Sequence, residues 1–440
     1  SEKVFIVAGP EFGELEGHAL VIFKALCGLR TSGLRWSEKF LLCLRDMGFF
    51  PSLADPCIWM RRVDDHYEYI AVYVDDLAIA SKAPNDIIRA LTEDYKFKLK
   101  GTGPIEYHLG CDFFRDEEGV LCFAPRKYID KLIASYERMF GSKPKTTKIT
   151  SPLVKGDHPE VDDSVFLDDN GIQQYQSLIG QLQWAISLGR FDITTAIMTM
   201  SSFRSAPREG HLDRMKRICG YLSKMRHSVI RIRTEEPDYS DIPRPEHDWE
   251  FSVYGGAKEE LPKNAPAPLG KPVVTTTYVD ANLYHCMLTG RSVTGILHLY
   301  NKTPVDWYAK KQGTAETATY GSEFVAARTA TKQVIDSRLS LRYLGVPVKE
   351  SIMFGDNESV VNSSSIPAGK LHKRHIALSW HRVRESIAAK ILCFIHIPGA
   401  INPSDMLSKH WGYQQTWAQL QALLFWQGDT TDLLTSENTK

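Results

Sequence analysis

The hydrophobic pattern is sharpest between Tyr69 and Ala80, where the chain reads YIAVYVDDLAIA. Two runs of β-branched and aromatic residues flank Asp75 and Asp76, which is the pattern of two short strands joined by a tight acidic turn. Neighbouring carboxylates repel each other, and a divalent cation with oxygen ligands would relieve that repulsion. An ordinary hairpin with a polar tip explains the same letters, since Asp is a favoured turn residue. Both interpretations stay open on this segment alone.

Hydrophobic periodicity predicts further strands and helices in the first half of the chain. Short apolar strands are expected at Val4–Gly9, Ala19–Phe23 and Cys57–Arg61. Apolar residues recur with helical spacing in six segments, which are Trp36–Met47, Ile87–Tyr95, Tyr128–Phe140, Tyr175–Leu188, Asp192–Phe203 and Glu209–Met225. A helix against hairpin strands indicates an α+β sandwich, and the last three helices, with their short joins, indicate a compact helical unit.

From Val273 onwards the pattern changes to the order β-β-β-α-β-α-β-α. Strands are predicted at Val273–Asn282, Thr294–Tyr300, Val305–Lys310, Ser351–Phe354 and Ile391–Ile397, and helices at Ala318–Leu344, around His375 and His381, and from Asp405. We expect a five-stranded mixed sheet with helices on its faces, so the fold class as a whole is α+β and multidomain.

Four acidic residues fall where these strands end or helices begin, namely Asp280, Glu323, Asp356 and Asp405. Each could be a surface residue, and Asp405 could simply cap its helix. In a two-metal site, however, several carboxylates converge on cations about 4 Å apart that activate water and stabilise the leaving oxygen. Four acids in this order therefore indicate a hydrolytic metal site. Wide separation of the four in the fold would instead indicate a structural subunit with acidic surface residues.

A change in composition separates the two halves. Residues 235–272 carry seven prolines and many acidic residues, which is typical of a linker or a surface insertion. We expect an independently folded domain after it. The predicted domains are residues 1–125, residues 126–234, the segment 235–272 and residues 273–425, followed by a polar tail at 426–440.

The overall charge of the chain does not indicate nucleic-acid binding, but the charge of some short segments does. Lys plus Arg and Asp plus Glu each number 53, so the net charge is zero, whereas proteins that bind nucleic acid usually carry excess base. Basic stretches do occur, at Lys96–Lys100, Lys143–Lys148, Arg204–Arg217 and His372–Arg384.

Eight cysteines without a C-x-x-C pair indicate free thiols in a reducing compartment. No apolar run reaches about 18 residues, so no membrane span is predicted. The chain starts at Ser1 without a signal peptide, which is compatible with a piece of something longer.

Three motifs resemble the reverse transcriptase of copia-type retrotransposon polyproteins. The hairpin YVDD is similar to the family's metal-binding turn, KALCGLRTSGLRW at Lys24–Trp36 to its nucleotide-site segment, and YHLGCDFF at Tyr107–Phe114 to the segment that steadies the primer. The resemblance implies that residues 1–125 form part of a polymerase palm and residues 126–234 a thumb and connection. It also implies metal binding by Asp75 and Asp76. A helical scaffold with no ligand remains the alternative for residues 126–234.

The later motifs YVDAN, GSEF, GDNESV and NPSDMLSK resemble the ribonuclease H of the same elements. The resemblance implies that residues 273–425 adopt the ribonuclease H fold and that Asp280, Glu323, Asp356 and Asp405 bind Mg²⁺, with Mn²⁺ as a possible substitute. It implies as partners an RNA/DNA hybrid and a primer-template, deoxynucleoside triphosphates for the parent enzyme, and the remaining polyprotein segments, integrase among them. The resemblance further implies location in cytoplasmic virus-like particles, with the nucleus as the alternative.

The chain departs from the family at one point. A third polymerase carboxylate is expected upstream of Lys24, in a segment reading roughly DVKTAFLNG, and residues 1–23 do not match it. We therefore expect no DNA synthesis unless another chain supplies that part. Two hypotheses remain: a reverse transcriptase and ribonuclease H fragment that cuts RNA in hybrids, or a decayed or repurposed copy that binds nucleic acid without catalysis.

Overall fold

The computed structural model describes residues 5–22, 32–244 and 246–425. Most of the predicted nucleotide-site segment, residues 24–31, and the predicted tail at 426–440 lie outside the described residues. The chain divides into two units. The first runs up to Pro104 and includes Ala265–Gly270 and Tyr343–Gly345; the second holds the remainder.

The described part of the first unit contains a two-stranded sheet, a four-stranded sheet and two α-helices. Its elements are β1 Phe5–Val7, β2 Ala19–Val21, α1 Ser32–Asp46, β3 Phe50–Pro51, β4 Ile58–Val63, β5 His66–Tyr73, β6 Asp76–Ala80 and α2 Pro84–Arg89, which continues as a π-helical turn Ala90–Asp94. Strands β3 to β6 form an antiparallel meander in chain order. The apolar stripe of α1 packs on this sheet because Phe40 and Leu44 meet Trp59 and Ile70 in one core. The helix is followed by Gly48, whose φ of 84° reverses the chain.

The second unit begins with a four-stranded sheet and four helices. They are β7 Tyr107–His108, β8 Cys111–Arg115, β9 Leu121–Ala124, α3 Arg126–Phe140, α4 Asp169–Ser187, α5 Thr194–Met200, α6 Glu209–Lys224 and β10 Ile230–Arg231. The four helices confirm the periodicity of the sequence. None of these four strands was predicted. They are short, and β7 and β10, which pairs antiparallel with β9, have only two residues each, too few to show a period.

The remainder of the second unit contains the five-stranded sheet. Its elements are β11 Thr275–Asn282, β12 Val293–Tyr300, β13 Thr303–Lys311, α7 Thr319–Tyr343, β14 Ser351–Gly355, α8 Glu358–Ser365, α9 Ala377–Ala388, β15 Leu392–His396, α10 Asp405–Ser408 and α11 Tyr413–Leu424. The strand order is β13-β12-β11-β14-β15. The β11–β12 and β12–β13 pairs are antiparallel, and the β11–β14 and β14–β15 pairs are parallel. The predicted α+β class and the five-stranded mixed sheet are confirmed.

Two helical details differ from the prediction. Helix α8 was missed because its sequence, ESVVNSSS, is rich in serine, which competes with the backbone for hydrogen bonds. It forms because Asn357 caps it, accepting a hydrogen bond from the backbone N–H of Val360 at 3.2 Å. His375 lies in a 3₁₀ turn ahead of α9, whereas His381 lies within that helix.

The two faces of the five-stranded sheet carry different helices. On one face, Ile296 packs with Phe324 of α7, Val360 of α8 and Val383 of α9. On the other, residues of β12, α10 and α11 share a single core with the helices α3 to α6. The members of this shared core include Leu297, Leu299, Met406, Leu407 and Trp417 together with Tyr175, Leu178, Ile197, Met215 and Ile218. The helical unit therefore covers one side of the sheet.

A buried ion pair reinforces this junction. The Arg190 guanidinium donates to both carboxylate oxygens of Asp192, at 2.9 and 2.7 Å, and both side chains are fully shielded from water. The same carboxylate accepts the hydroxyl of Tyr221 at 2.7 Å, and the indole N–H of Trp411 donates to the backbone oxygen of Asp192 at 3.3 Å. Buried charges of this kind need every partner in place.

The proline-rich segment packs against the sheet domain through a side chain near its start and another in its second half. The Tyr239 ring meets Phe354 edge-on at 5.3 Å, and Glu259 pairs with Arg338 at 2.8 Å and with Arg342 at 2.6 Å.

The domain boundaries drawn from composition remain predictions. Within the described ranges, no helix combines the length and the apolar character needed to cross a membrane. The described cysteines are free thiols, as expected.

Candidate metal centre

The central strand β11 places Asp280 in the middle of the sheet, where its side chain is only 3% exposed. Its partner across the antiparallel pair with β12 is Gly295. A Cβ at Gly295 would come within 2.7 Å of backbone atoms of Ser404, Leu407 and Ser408. The missing side chain is thus what allows α10 to lie directly on the sheet beside Asp280.

Asn402 fixes the loop that leads into α10. Its side-chain amide donates to the backbone oxygen of Val279 at 3.0 Å, next to Asp280, and its side-chain oxygen accepts the hydroxyl of Ser404 at 2.6 Å. Asn402 and Ser404 are fully buried. From the helical unit, the Thr195 hydroxyl donates to the backbone oxygen of Met406 at 2.9 Å. Asp405, the first residue of α10, is therefore held from both sides.

Asp356 and Glu323 approach from the neighbouring elements. Asp356 follows β14, the parallel neighbour of β11, so it reaches the same edge of the sheet. A Cβ at Gly399 would lie 2.9 Å from Oδ2 of Asp356, which shows how closely the following loop covers that carboxylate. Glu323 lies in the first turns of α7, is 8% exposed, and its carboxylate accepts the backbone N–H of Ala281.

Three of the four predicted residues form one carboxylate cluster. Asp280, Asp356 and Asp405 each offer an oxygen, and these oxygens lie within 4.8 Å of one another. Glu323 is close enough for Asp280 and Asp356 to act on its ionisation. The sequence-based alternative of scattered surface acids required wide separation and is wrong for the three clustered aspartates.

Crowding of negative charge changes the protonation of the cluster. Burial, followed by the Asp280 and Asp356 carboxylates, raises the pKa of Glu323 well above its ordinary value. Burial and Asp280 likewise raise the pKa of Asp356. For Asp405, burial and then Asp280 raise the pKa from 3.8 to about 7, although Lys409 acts in the opposite direction. Such a site binds protons unless other cations neutralise it.

Two residues of α10 and its end complete the surroundings of Asp280, and neither was predicted from the sequence. The Ser408 hydroxyl donates to Oδ2 of Asp280. The Lys409 ammonium lies 2.7 Å from Oδ1 of Asp405 and 3.8 Å from Oδ2 of Asp280. Both belong to the NPSDMLSK motif. One turn of helix after Asp405 brings them back to the acids, which is the signal that could have identified them.

His396 was also missed. It is the last residue of β15, its side chain is exposed, and its Nε2 donates to the backbone oxygen of Asp356 at 3.2 Å. It pairs in register with Gly355, the residue before Asp356. The end of a parallel strand next to an acid-bearing strand end was a usable signal. His375, by contrast, pairs with Glu316 at 2.7 Å.

Asp75 and Asp76 lie at the tip of the β5–β6 hairpin in the first unit. Tyr73 pairs with Asp76, which leaves a two-residue turn of Val74 and Asp75. Val74 has a φ of 56°, an unusual conformation for a β-branched residue. Both aspartates are exposed. Among the described residues, neither belongs to a cluster of three metal-binding side chains, and their assignment as metal ligands remains a prediction.

Residues 1–151 match the family model described as reverse transcriptase (RNA-dependent DNA polymerase). The chain is 24% identical over 416 residues to the retrovirus-related Pol polyprotein from transposon TNT 1-94 of Nicotiana tabacum, covering 93% of this chain and 28% of that protein. It is 26% identical over 394 residues to the Pol polyprotein from transposon RE1 of Arabidopsis thaliana, covering 88% of this chain and 24% of that protein. The putative transposon Ty5-1 protein of Saccharomyces cerevisiae is 24% identical over 316 residues, or 71% of this chain and 89% of that protein.

The predicted resemblance to copia-type retrotransposon polyproteins is confirmed by these matches, and so is the relation to the reverse transcriptase family of enzymes. The chain spans about a quarter of the length of the two Pol polyproteins.

Two solved structures are also similar. Ribonuclease H1 from Halobacterium salinarum is 14% identical with a TM-score of 0.24, covering 34% of this chain and 99% of that chain. The foamy viral protease-reverse transcriptase in complex with RNA/DNA hybrid is 13% identical with a TM-score of 0.24, covering 90% of this chain and 63% of that chain.

Proposed function

We propose that the second unit is a metal-dependent ribonuclease H that hydrolyses the RNA strand of RNA/DNA hybrids. The observation that carries the proposal is the convergence of Asp280, Asp356 and Asp405, with oxygens within 4.8 Å of one another, beside the central strands β11 and β14 of a five-stranded mixed sheet. Similarity to retrotransposon Pol polyproteins supports the choice of nucleic acid as the substrate.

The residues present fit a site for divalent cations. All four acids offer hard oxygen ligands, which Mg²⁺ and Mn²⁺ both accept. Burial and mutual repulsion raise the pKa of Glu323, Asp356 and Asp405, so the cluster is incomplete without positive charge. Bound divalent ions would supply an activated water and would stabilise the leaving oxygen in phosphodiester hydrolysis.

The protein's own contribution is positioning. Ser408 and Asn402 hold Asp280 and the Asp405 loop in fixed orientations, so the carboxylates are placed before any ligand arrives. His396 donates from Nε2 to a backbone oxygen, which leaves its Nδ1 as a proton acceptor at the rim of the site. We propose that this nitrogen can accept a proton beside Asp356.

The test is cleavage of a labelled RNA/DNA hybrid by the full chain in the presence of Mg²⁺. We expect the Asp280→Asn variant to lose at least about 10²-fold in rate, since misplacing ligands by about 1 Å already costs that much. EDTA should abolish cutting by the unchanged chain. The matched control is Asp336→Asn, an exposed aspartate of α7, which should cut normally.

Each outcome separates the two hypotheses. Metal-dependent cutting that only Asp280→Asn abolishes supports the nuclease. Hybrid binding that persists in EDTA, without any cutting by the unchanged chain, would refute the nuclease and favour the decayed or repurposed copy. Cutting by the Asp280→Asn variant at the normal rate would refute the assignment of the site.

A further inference from the structure

The Lys409 ammonium lies between two of the clustered carboxylates, where a positive charge reduces their mutual repulsion. It contacts Oδ1 of Asp405 at 2.7 Å and faces Oδ2 of Asp280 at 3.8 Å, so it bridges two of the three clustered carboxylates. Lys409 directly follows the last residue of α10, Ser408. The Ser408 hydroxyl donates a hydrogen bond to Oδ2 of Asp280, the oxygen that Lys409 faces. The charge therefore has a fixed place in the cluster.

Lys409 and a divalent ion compete for the same oxygens. Mg²⁺ binds carboxylate oxygens at about 2.0–2.1 Å, and an ammonium that remained 2.7 Å from the same oxygen of Asp405 would repel it strongly at such a short separation. The Lys409 side chain is 40% exposed, and a four-carbon stem of this kind can turn its ammonium into water. A divalent cation can therefore displace the Lys409 ammonium without a steric clash.

We propose that Lys409 is a built-in counter-ion, which holds Asp280 and Asp405 together in the metal-free protein and is displaced when a divalent cation enters. This inference rests on the proposed metal site and adds a regulation to it. The lysine offsets the repulsion between the two carboxylates, and because it must be displaced, it lowers the apparent affinity of the site for a divalent cation. Lys409 is a positioning residue in this scheme.

The experiment compares the full chain with Lys409→Met and with Lys332→Met, an exposed lysine of α7, as the matched control. Binding of Mg²⁺ and of Mn²⁺ is measured by calorimetry without nucleic acid, and melting is followed in EDTA and at saturating Mg²⁺. We expect Lys409→Met to bind the first cation about tenfold more tightly, since one charged contact no longer has to be broken. We also expect it to melt earlier than the unchanged chain in EDTA but not at saturating Mg²⁺.

The outcomes keep this inference distinct from the proposed function. If the unchanged chain binds no divalent cation at all, the proposed metal site fails. If the unchanged chain binds the cation and Lys409→Met binds it equally or more weakly, the metal site stands and the counter-ion role is refuted. A Lys332→Met variant that gains the same affinity would also refute it, because general charge would then be the cause. A Lys409→Gln variant repeats the test if the methionine variant does not fold.

Discussion

Replacing Asp405 with asparagine should make the metal-free protein more stable, by an amount that grows as the pH rises from 3.8 to about 7 and is constant above that. Burial and the Asp280 carboxylate raise the pKa of Asp405 from 3.8 to about 7 in the folded state. Between those two values the folded chain holds a proton that the unfolded chain has released. Stability therefore declines as the pH rises through this window, and above about 7 the full cost is present.

The magnitude follows from the same two values. The difference between 3.8 and about 7 corresponds to about 4 kcal/mol at 1.36 kcal/mol per pH unit. The favourable contact with Lys409 is already contained in that pKa. Asparagine resembles the protonated acid in shape and charge, so the variant escapes the cost. For a unit of this size the gain corresponds to a rise of about 6 °C in the melting midpoint.

Melting in EDTA at pH 4.5 and pH 8.5 measures this effect. We expect Asp405→Asn to melt about 6 °C above the unchanged chain at pH 8.5 and no more than about 2 °C above it at pH 4.5, where most of Asp405 in the unchanged folded chain is still protonated and little of the cost is present. Saturating Mg²⁺ should shrink or reverse the gap, because the unchanged chain gains a ligand that the variant binds poorly. Asp336→Asn is the control. Equal shifts at both pH values, or a loss of stability at pH 8.5, would refute the reasoning.

Two further substitutions test how the site is supported. Gly295→Ala should push α10 off the sheet, since its Cβ would lie 2.7 Å from backbone atoms of that helix; we expect hybrid cleavage to fall by about 10²-fold, while Gly313→Ala, where a Cβ meets nothing within 4 Å, should cut normally. Arg190→Met should cost about 3–5 kcal/mol in urea unfolding because Asp192 would be left buried and unpaired. The double variant with Asp192→Leu should recover part of that loss, and no recovery would show that the pair is not the cause.

The sequence was most informative where chemistry is local. Two apolar runs around Asp75 and Asp76 predicted the hairpin, and the β-branched run before Asp280 and the short apolar run before Asp356 predicted two central strands. The order of elements then brought three predicted acids to one edge of the sheet. These features depend on spacing within a few residues, which periodicity reads directly.

The features that were missed depend on contacts between distant residues. No local pattern shows that Gly295 faces Asp280 or that its missing side chain admits α10, because strand register decides both. The i,i+4 spacing places Lys409 beside Asp405, but its contact with Asp280, 129 positions earlier in the chain, appears only in the folded structure. Helix α8 was missed for a different reason, since its weak intrinsic propensity is overcome by the Asn357 cap and by burial of Val360.

The core shared by the helices α3 to α6 and one face of the five-stranded sheet limits how this sheet can be separated from the rest of the chain. A gene rearrangement that transferred residues 273–425 alone would expose Leu297, Leu299, Met406 and Trp417 to solvent. Such an exposed hydrophobic patch favours aggregation. It would also remove Thr195, whose hydroxyl holds Met406, one residue after Asp405. The five-stranded sheet and the helices α3 to α6 should therefore be kept together. We expect truncated proteins that begin near residue 105 to be more stable in solution than those that begin at residue 273.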